Sequence, residues 1–195
     1  MCKLVLVKSR TSYFQRLITV IEENQHSIEQ GVELLVSEIL SAGEKGNSVW
    51  LVGNGGSAST AEHFETDLAF IRHKVRLPSV SALTSNSALM TAAANDTSYE
   101  DAFSVILQKK ARQGDLLVLI SASGNSKNIL NAISYAKGND ILTISILGFD
   151  GGLARDLSDY SVVVRTAIGE YGITEDVHLS ICHAASLSIL RRLSN

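Results

Sequence analysis

The apolar and polar positions of the chain form two patterns that alternate along its length. Short runs rich in apolar and β-branched residues cover 49–52, 78–83, 116–120, 141–147 and 160–164. The first run is apolar without alternation, as expected of a parallel strand covered on both faces. Segments with helical spacing lie at 10–43, 87–94, 99–112, 127–136 and 174–193, and another helix follows the first strand.

Strands that alternate with helices predict an α/β fold. We expect a doubly wound, five-stranded parallel sheet in a flavodoxin-like order, flanked by helices. The 195 residues suit one domain with a sizeable core. We therefore predict a single domain over 1–195, with an N-terminal helical arm at 1–45. The α/β core with its C-terminal helix would occupy 46–195.

The arm carries two apolar stripes separated by a polar interval at 22–26, which predicts a break or a kink. The stripes are Phe14, Leu17, Ile18 and Ile21, and then Ile28, Val32, Leu35 and Ile39. The arm precedes the first strand, so no crossover between strands requires it. Two roles remain open, a contact between subunits and a cover for one face of the sheet.

Two glycine- and serine-rich turns follow the first and third strands. The first contains Asn54, Gly55, Gly56 and Ser57; the second contains Ser121, Ser123 and Ser126. Helix N-termini offer unpaired N–H groups and a positive dipole end, which suit phosphate. In the predicted strand order, these turns flank the point where the order reverses, where ligands bind in such sheets. An ordinary N-cap would explain one serine per helix, but it explains four poorly.

Two commoner phosphate motifs fit less well. A Walker A loop needs a Gly-Lys-Ser/Thr ending, and the first turn has no lysine. A dinucleotide fingerprint needs an acidic residue at the end of the second strand, and the run from Val80 to Ser85 has none. We therefore expect no nucleotide cofactor.

Groups that can move protons lie on two predicted helices. His63 and Asp67 are four residues apart and share one helix face. The final helix carries Glu175, His178 and His183, and two histidines on one helix favour a site over a purely structural role. Helix rise separates Glu175 from His183 by about 12 Å, so either this helix begins late or two subunits each supply one group.

Composition excludes several functions. The net charge is −3 and there is no basic run, so nucleic-acid binding has no electrostatic support. Cys2 and Cys182 are too few for a disulfide framework, which favours a reduced, cytoplasmic protein. The apolar run at 4–7 is too short for a signal peptide, and no run approaches membrane-spanning length.

Six motifs of the chain resemble the sugar isomerase (SIS) domain family. They are Gly-Asn-Gly-Gly-Ser at 53–57, His63-Phe64, Ala94-Asn95-Asp96, Ser121-x-Ser123-Gly-Asn-Ser126, Gly148-x-Asp150-Gly-Gly152 and Glu175-Asp-x-His178-x-x-x-x-His183. The pairing of two serine turns with a histidine-bearing final helix resembles the phosphoheptose isomerase branch, over nearly the whole chain. That branch interconverts sedoheptulose 7-phosphate and D-glycero-D-manno-heptose 7-phosphate through an enediol, and it is cytoplasmic and usually homotetrameric.

The resemblance also implies roles for individual residues. The four serines would bind the sugar phosphate, Asn54 and Asp96 would hold sugar hydroxyls, and Asp67 and His183 would transfer protons. Gly55, Gly56 and Glu175 complete the expected substrate site. Many members bind zinc, and the matching ligands here are His63, Asp67, Glu175 and His183.

Three positions depart from the family pattern. Asp67 replaces the usual Glu, Glu175 replaces the usual Gln, and Ala122 replaces the Thr of the best-known members. The resemblance leaves two function classes open, an isomerase and a SIS module that binds sugar phosphates without converting them. Retention of both kinds of proton-transfer group favours the enzyme.

Overall fold

The computed structural model describes residues 12–71 and 77–193. Residues 1–11 of the predicted arm, which include Cys2 and the apolar run at 4–7, lie outside the described residues. The strands are β1 (Ser48–Gly53), β2 (Ser79–Ala82), β3 (Leu116–Ser121), β4 (Leu142–Leu147) and β5 (Tyr160–Val163). The helices are α1 (Tyr13–Lys45), α2 (Gly56–Ile71), α3 (Ser87–Asp96), α4 (Ala102–Lys110), α5 (Lys127–Gly138), α6 (Gly152–Leu157) and α7 (Tyr171–Leu193).

The five strands form one parallel sheet in the order β2-β1-β3-β4-β5. This order confirms the predicted doubly wound fold. The chain runs outward from β1 to β2 and then returns to β3 on the other side of β1. The order therefore reverses between β1 and β3, and the two polar turns follow these neighbouring strands.

Apolar clusters cover both faces of the sheet. Helices α1, α2 and α7 pack on one face, and α3, α4, α5 and α6 pack on the other. The central strand β3 is buried along its whole length. Burial on both faces explains why the central strands read as continuous apolar runs rather than as alternating ones.

The arm is one continuous helix, so the predicted break at 22–26 is wrong. The interval contains neither glycine nor proline, and its polar residues are compatible with a helix. Asn24 is buried: its amide donates to the carbonyl oxygen of Val20, and its oxygen accepts the N–H of Arg165 at 2.7 Å. A polar residue on the inner face thus ties the arm to the chain that follows β5.

The two stripes of the arm have different surroundings. Leu35 and Ile39 are fully buried in the cluster that covers the sheet. Phe14 and Ile18 are 74% and 49% exposed. The C-terminal half of the arm therefore covers the sheet, and the N-terminal half leaves an apolar face in solvent.

Two other boundaries differ from the predictions. Helix α7 begins at Tyr171, three residues before the predicted start and therefore not late. Helix α6 was not predicted because six residues are too few for a helical periodicity to be visible. No helix in the described ranges is long and apolar enough to cross a membrane.

Candidate active site

The turns after β1 and β3 line one pocket of about 480 Å³ at the carboxyl edge of the sheet. Eight predicted substrate residues line it, namely Asn54, Gly55, Gly56, Ser57, Ser121, Ser123, Ser126 and Glu175, together with Ile120, Ala122 and Tyr171. Asp96 ends α3 on the surface, contacts its neighbour Asn95, and does not line this pocket. The residues of the two turns thus lie together at one pocket, which we call the phosphate cradle, and Asp96 lies apart from it.

The described lining provides hydrogen-bond donors without basic side chains. Helices α2 and α5 begin at the pocket, and within residues 12–71 and 77–193 no lysine or arginine lines it. The hydroxyl oxygens of Ser121 and Ser123 accept the N–H groups of Gly124 and Asn125 at 3.1 and 3.3 Å. A hydroxyl that accepts in this way keeps its own proton free to donate to an anion.

Ser126 precedes α5 at the N-cap position, yet its side chain makes no capping hydrogen bond. The hydroxyl lines the pocket instead. Capping of α5 therefore does not explain why a serine stands at this position, and contact with a ligand explains it better.

The Glu175 carboxylate lies directly against Gly56 at the start of α2. A Cβ atom added at Gly56 would overlap this carboxylate, so the missing side chain lets α7 bring Glu175 to the cradle. Burial, and secondarily the charge of Asp176, raises the pKa of Glu175. The pocket therefore contains an acid that holds its proton more tightly than an ordinary glutamate does.

Asn54 is held by two neighbours across the turn. Its amide exchanges hydrogen bonds of 2.9 Å with the amide of Asn128, and its oxygen also accepts the Tyr99 hydroxyl at 2.7 Å. An amide nitrogen carries two hydrogens, so one N–H of Asn54 remains for a ligand. Asn54 is therefore a rigid donor beside the cradle.

A second cluster lies further along α2 and α7. The Nε2 atoms of His63 and His183 are 2.9 Å apart. The carboxylate of Asp67 lies 3.6 Å from His63 Nε2 and 3.9 Å from His183 Nε2. The three ligand atoms lie within 4.8 Å of one another, which fits a single metal ion or a shared proton path.

Glu175 is not part of this cluster in the chain. Gly56 faces Glu175 at one level of the two helices, and His63 faces His183 about two turns further along both. The helices α2 and α7 therefore run in the same direction, and the cluster begins about 9 Å along α2 from Ser57. A sugar phosphate whose phosphate occupies the cradle can extend toward the cluster.

His178 does not join either group, although two histidines on α7 favoured a site. It is fully buried, and among the described residues its ring nitrogens make no hydrogen bond of ordinary geometry, although the nearby backbone of Leu147 acts to raise its pKa. Burial lowers the pKa of His178 to about 4, so the ring is neutral at ordinary pH. Cys182, one turn later, is also buried and free, and burial raises the pKa of its thiol. Both side chains belong to the packing of α7.

Sequence reasoning missed Tyr171 and Asn128. Tyr171 precedes the final helix as predicted, which was to begin at Thr174, and no predicted motif included it. Asn128 follows the second serine turn directly, and its pairing with Asn54 depends on the adjacency of β1 and β3. No sequence pattern marked either residue.

Comparison with known proteins decides the family. The model of the SIS domain matches residues 11–148, which include both polar turns. The chain belongs to the SIS domain family. The predicted resemblance is therefore confirmed.

Two curated relatives and one solved structure that resemble the chain are named phosphoheptose isomerases. The phosphoheptose isomerase of Aliarcobacter butzleri is 36% identical over 196 residues, which cover 99% of this chain and 100% of that protein. The phosphoheptose isomerase of Chlorobium limicola is 36% identical over 158 residues, 80% of this chain and 73% of that protein. The structure of a phosphoheptose isomerase from Francisella tularensis superposes with a TM-score of 0.83 at 26% identity, covering 92% and 95% of the two chains.

Proposed function

We propose that this SIS protein is an aldose–ketose isomerase that converts sedoheptulose 7-phosphate to D-glycero-D-manno-heptose 7-phosphate. One observation carries the proposal. The phosphate cradle and the cluster of His63, Asp67 and His183 lie at two levels of the parallel helices α2 and α7. The named function of the relatives supports the same substrate.

The cradle fixes the register of the substrate. Hydroxyls and helix N-termini bind the phosphate, and this contact sets which carbon atoms reach the cluster. Glu175 lines the same pocket beside Gly56, where a carboxyl group suits sugar hydroxyls. A ligand with a shorter or longer carbon chain would present different atoms to Asp67.

The reaction moves one proton between C1 and C2. Asp67 removes the proton from C1 of the ketose while His183 donates a proton to the oxygen on C2, which yields the enediol. Asp67 then returns the proton to C2, and the C1 hydroxyl gives its proton to the now neutral His183, which forms the aldehyde and restores the histidine. General acid–base groups must lie within hydrogen-bond reach of these atoms, and the two side chains already lie beside each other.

A zinc ion fits the cluster of His63, Asp67 and His183. Two imidazole nitrogens and one carboxylate oxygen within 4.8 Å form a donor set that Zn²⁺ accepts. Bound there, the ion would supply Lewis-acid polarisation of the substrate oxygens in place of the proton that His183 donates, because a metal-bound imidazole nitrogen carries no proton. The cluster holds these three ligands without Glu175, which we assign to the substrate instead.

We also propose that the protein is a cytoplasmic homotetramer. The exposed face of the arm at Phe14 and Ile18 supports an interface, because apolar residues grouped on one helix face are usually covered. The net charge and cysteine content are those of an ordinary cytoplasmic protein.

Turnover in D₂O tests the function. The purified protein is given sedoheptulose 7-phosphate and a panel of other ketose phosphates, and NMR follows aldose formation and deuterium incorporation at the carbon that receives the proton. We expect conversion of the heptulose phosphate with deuterium uptake. If calorimetry shows binding but no member of the panel is converted, the proposed isomerase activity is contradicted. The protein would then be a SIS module that only binds sugar phosphates.

A further inference from the structure

The first turns of the arm contact the segment that opens α7. The hydroxyl of Tyr13 donates to a carboxylate oxygen of Asp176 at 2.6 Å. The Nε and Nη2 atoms of Arg16 donate to the two carboxylate oxygens of Glu170, each at 3.0 Å. A two-point contact between a guanidinium and a carboxylate fixes direction as well as distance.

Glu170 in turn closes the turn before α7. One of its carboxylate oxygens accepts the N–H of Ala167 at 2.9 Å. Its main-chain carbonyl accepts both the N–H and the hydroxyl of Thr174, at 3.0 and 2.8 Å. The hydrogen bond from Arg16 is the main cause of the lowered pKa of Glu170, so this carboxylate stays ionised and keeps the contact.

Each contact from the arm lies one residue away from a residue of the pocket. Tyr171 follows Glu170, Glu175 precedes Asp176, and both Tyr171 and Glu175 line the phosphate pocket. The other side of Tyr171 packs edge-on against Phe149, with ring centroids 5.1 Å apart.

Gly172 gives Tyr13 room to approach. A Cβ atom at residue 172 would come to 3.2 Å from the Tyr13 hydroxyl, closer than most side-chain contacts allow. Burial, together with the hydrogen bond to Asp176, raises the pKa of Tyr13 to about 12, so the phenol remains a donor at ordinary pH. The absence of a side chain at Gly172 and the partial burial of Tyr13 therefore both favour this contact.

We propose that Tyr13 and Arg16 are positioning residues for the sugar-phosphate pocket: they hold the first turn of α7 so that Tyr171 and Glu175 face the ligand. Neither residue lines the pocket. This inference rests on the proposed function, because it assigns a role in that same site. The arm, on this view, contributes to substrate binding from outside the α/β core.

A second ion pair between α1 and α7, near the C-terminal end of α7, provides a matched control. Arg192 of α7 contacts the carboxylate of Glu33 on α1. By helix rise, residue 192 lies about 24 Å along α7 from residue 176. Loss of this second ion pair removes an exposed contact between α1 and α7 without touching the pocket.

The experiment compares Arg16→Met with Arg192→Met, and adds Arg16→Lys and Tyr13→Phe. Initial rates give KM and kcat for sedoheptulose 7-phosphate, calorimetry gives Kd, and thermal melting gives Tm. We expect Arg16→Met to raise KM and Kd about tenfold while kcat changes less, because the substrate rim is displaced and the proton-transfer cluster is not. Arg16→Lys should recover part of the loss, and Tyr13→Phe should raise KM without abolishing folding.

Arg192→Met should leave KM and Kd unchanged. Equal values of KM and Kd in Arg16→Met, Tyr13→Phe and the unmutated protein would overturn the inference and leave the proposed function standing. A parallel rise in both arginine variants would also overturn it, because the effect would then be one of general helix packing. If the unmutated protein binds the sugar phosphate without turnover, the proposed isomerase activity is wrong, and the comparison of Kd values still tests the positioning role. If it neither binds nor converts the sugar phosphate, both the proposed function and the positioning role are overturned.

Discussion

Asp67 is the residue on which the proposed chemistry depends most. Its carboxylate lies beside two half-exposed imidazoles, and among the described residues it forms the group in which two histidines and a carboxylate meet. Glu65, two residues away in sequence, has a different role, since its carboxylate accepts the N–H of Ala82 at 3.1 Å. The environment thus separates two neighbouring carboxylates into one that can act on a ligand and one that secures β2.

Asp67→Asn should abolish most turnover while sugar-phosphate binding persists. The substitution removes charge and basicity and changes the shape little, and a general acid–base group contributes about 10²–10⁴-fold in rate. Rates and calorimetric Kd on the same preparation measure both effects. Glu62→Gln, which neutralises another carboxylate of α2, is the control and should keep its rate. Near-normal turnover in Asp67→Asn would show that Asp67 is not the base and would make Glu175 the next candidate.

Glu175→Gln should change the pH dependence of stability. A carboxyl group whose pKa is raised by folding contributes most to stability below its unfolded pKa of about 4.3, and this contribution is lost as pH rises through the folded pKa. The stability of the variant relative to the unmutated protein should therefore increase with pH across that window. Urea unfolding at a series of pH values and one protein concentration measures the difference.

The same substitution should tighten the binding of inorganic phosphate at neutral pH, since it removes a negative charge from the rim of the cradle. Glu62→Gln again provides the comparison, with no expected change in phosphate affinity. The position assigned to Glu175 would be contradicted if the stability difference between Glu175→Gln and the unmutated protein did not vary with pH and the phosphate affinity were unchanged.

At the scale of elements, the site depends on two parallel helices that approach closely at one glycine. Helices α2 and α7 pack on the same face of the sheet, and Gly56 lets the Glu175 side chain reach the cradle. The contact at this end and the His63–His183 contact at the other set one register between the helices. A shift of α7 along α2 would separate both pairs together.

Gly56→Ala should lower activity more than stability. The added methyl group meets the end of a flexible side chain, so Glu175 can swing away at little cost in folding free energy, but it then leaves the pocket. We expect KM to rise while Tm changes by a few degrees at most, which corresponds to about 1 kcal/mol or less. Gly138→Ala is the matched control, since a Cβ atom at the end of α5 has open space. A large fall in Tm with an unchanged KM would show that Gly56 serves backbone packing instead.

At the scale of the whole molecule, the arm has two faces with different surroundings. The inner face, with Tyr13, Arg16 and Asn24, is tied to the chain between β5 and α7 and to the first turns of α7. The outer face, with Phe14 and Ile18, is open to solvent. An arm that both shapes the pocket and joins subunits would link assembly to substrate binding.

Phe14→Glu combined with Ile18→Glu should reduce the assembly to smaller species. Burying two new carboxylates in an apolar interface costs far more than the interface gains from its remaining contacts. Sedimentation velocity at micromolar concentration measures the change, with Leu153→Glu, an exposed residue of α6 on the other side of the sheet, as the control. A monomeric unmutated protein would contradict the proposed tetramer, and an unchanged tetramer in the double variant would place the interface elsewhere.

The sequence by itself determined the architecture and most of the cradle. Apolar runs bounded by glycine and serine turns are local signals, and the strand order follows from the few ways in which such units pack. Since β1 and β3 are neighbours in that order, the sequence alone predicts that Ser57 and Ser121 lie at one pocket. The same reasoning paired His63 with Asp67, because a spacing of four residues lies within one helix.

The tertiary structure decided what depends on contacts between distant segments. It placed Glu175 at the cradle rather than with the histidines, because Gly56 leaves space there and α7 begins at Tyr171. It kept the arm helical without a break through 22–26, where Asn24 has its partner in Arg165, 141 positions away. It buried His178 and left His183 at the surface, although both lie on one helix. Helical periodicity states which residues share a face, but the neighbour that each face meets is set by packing against the rest of the chain.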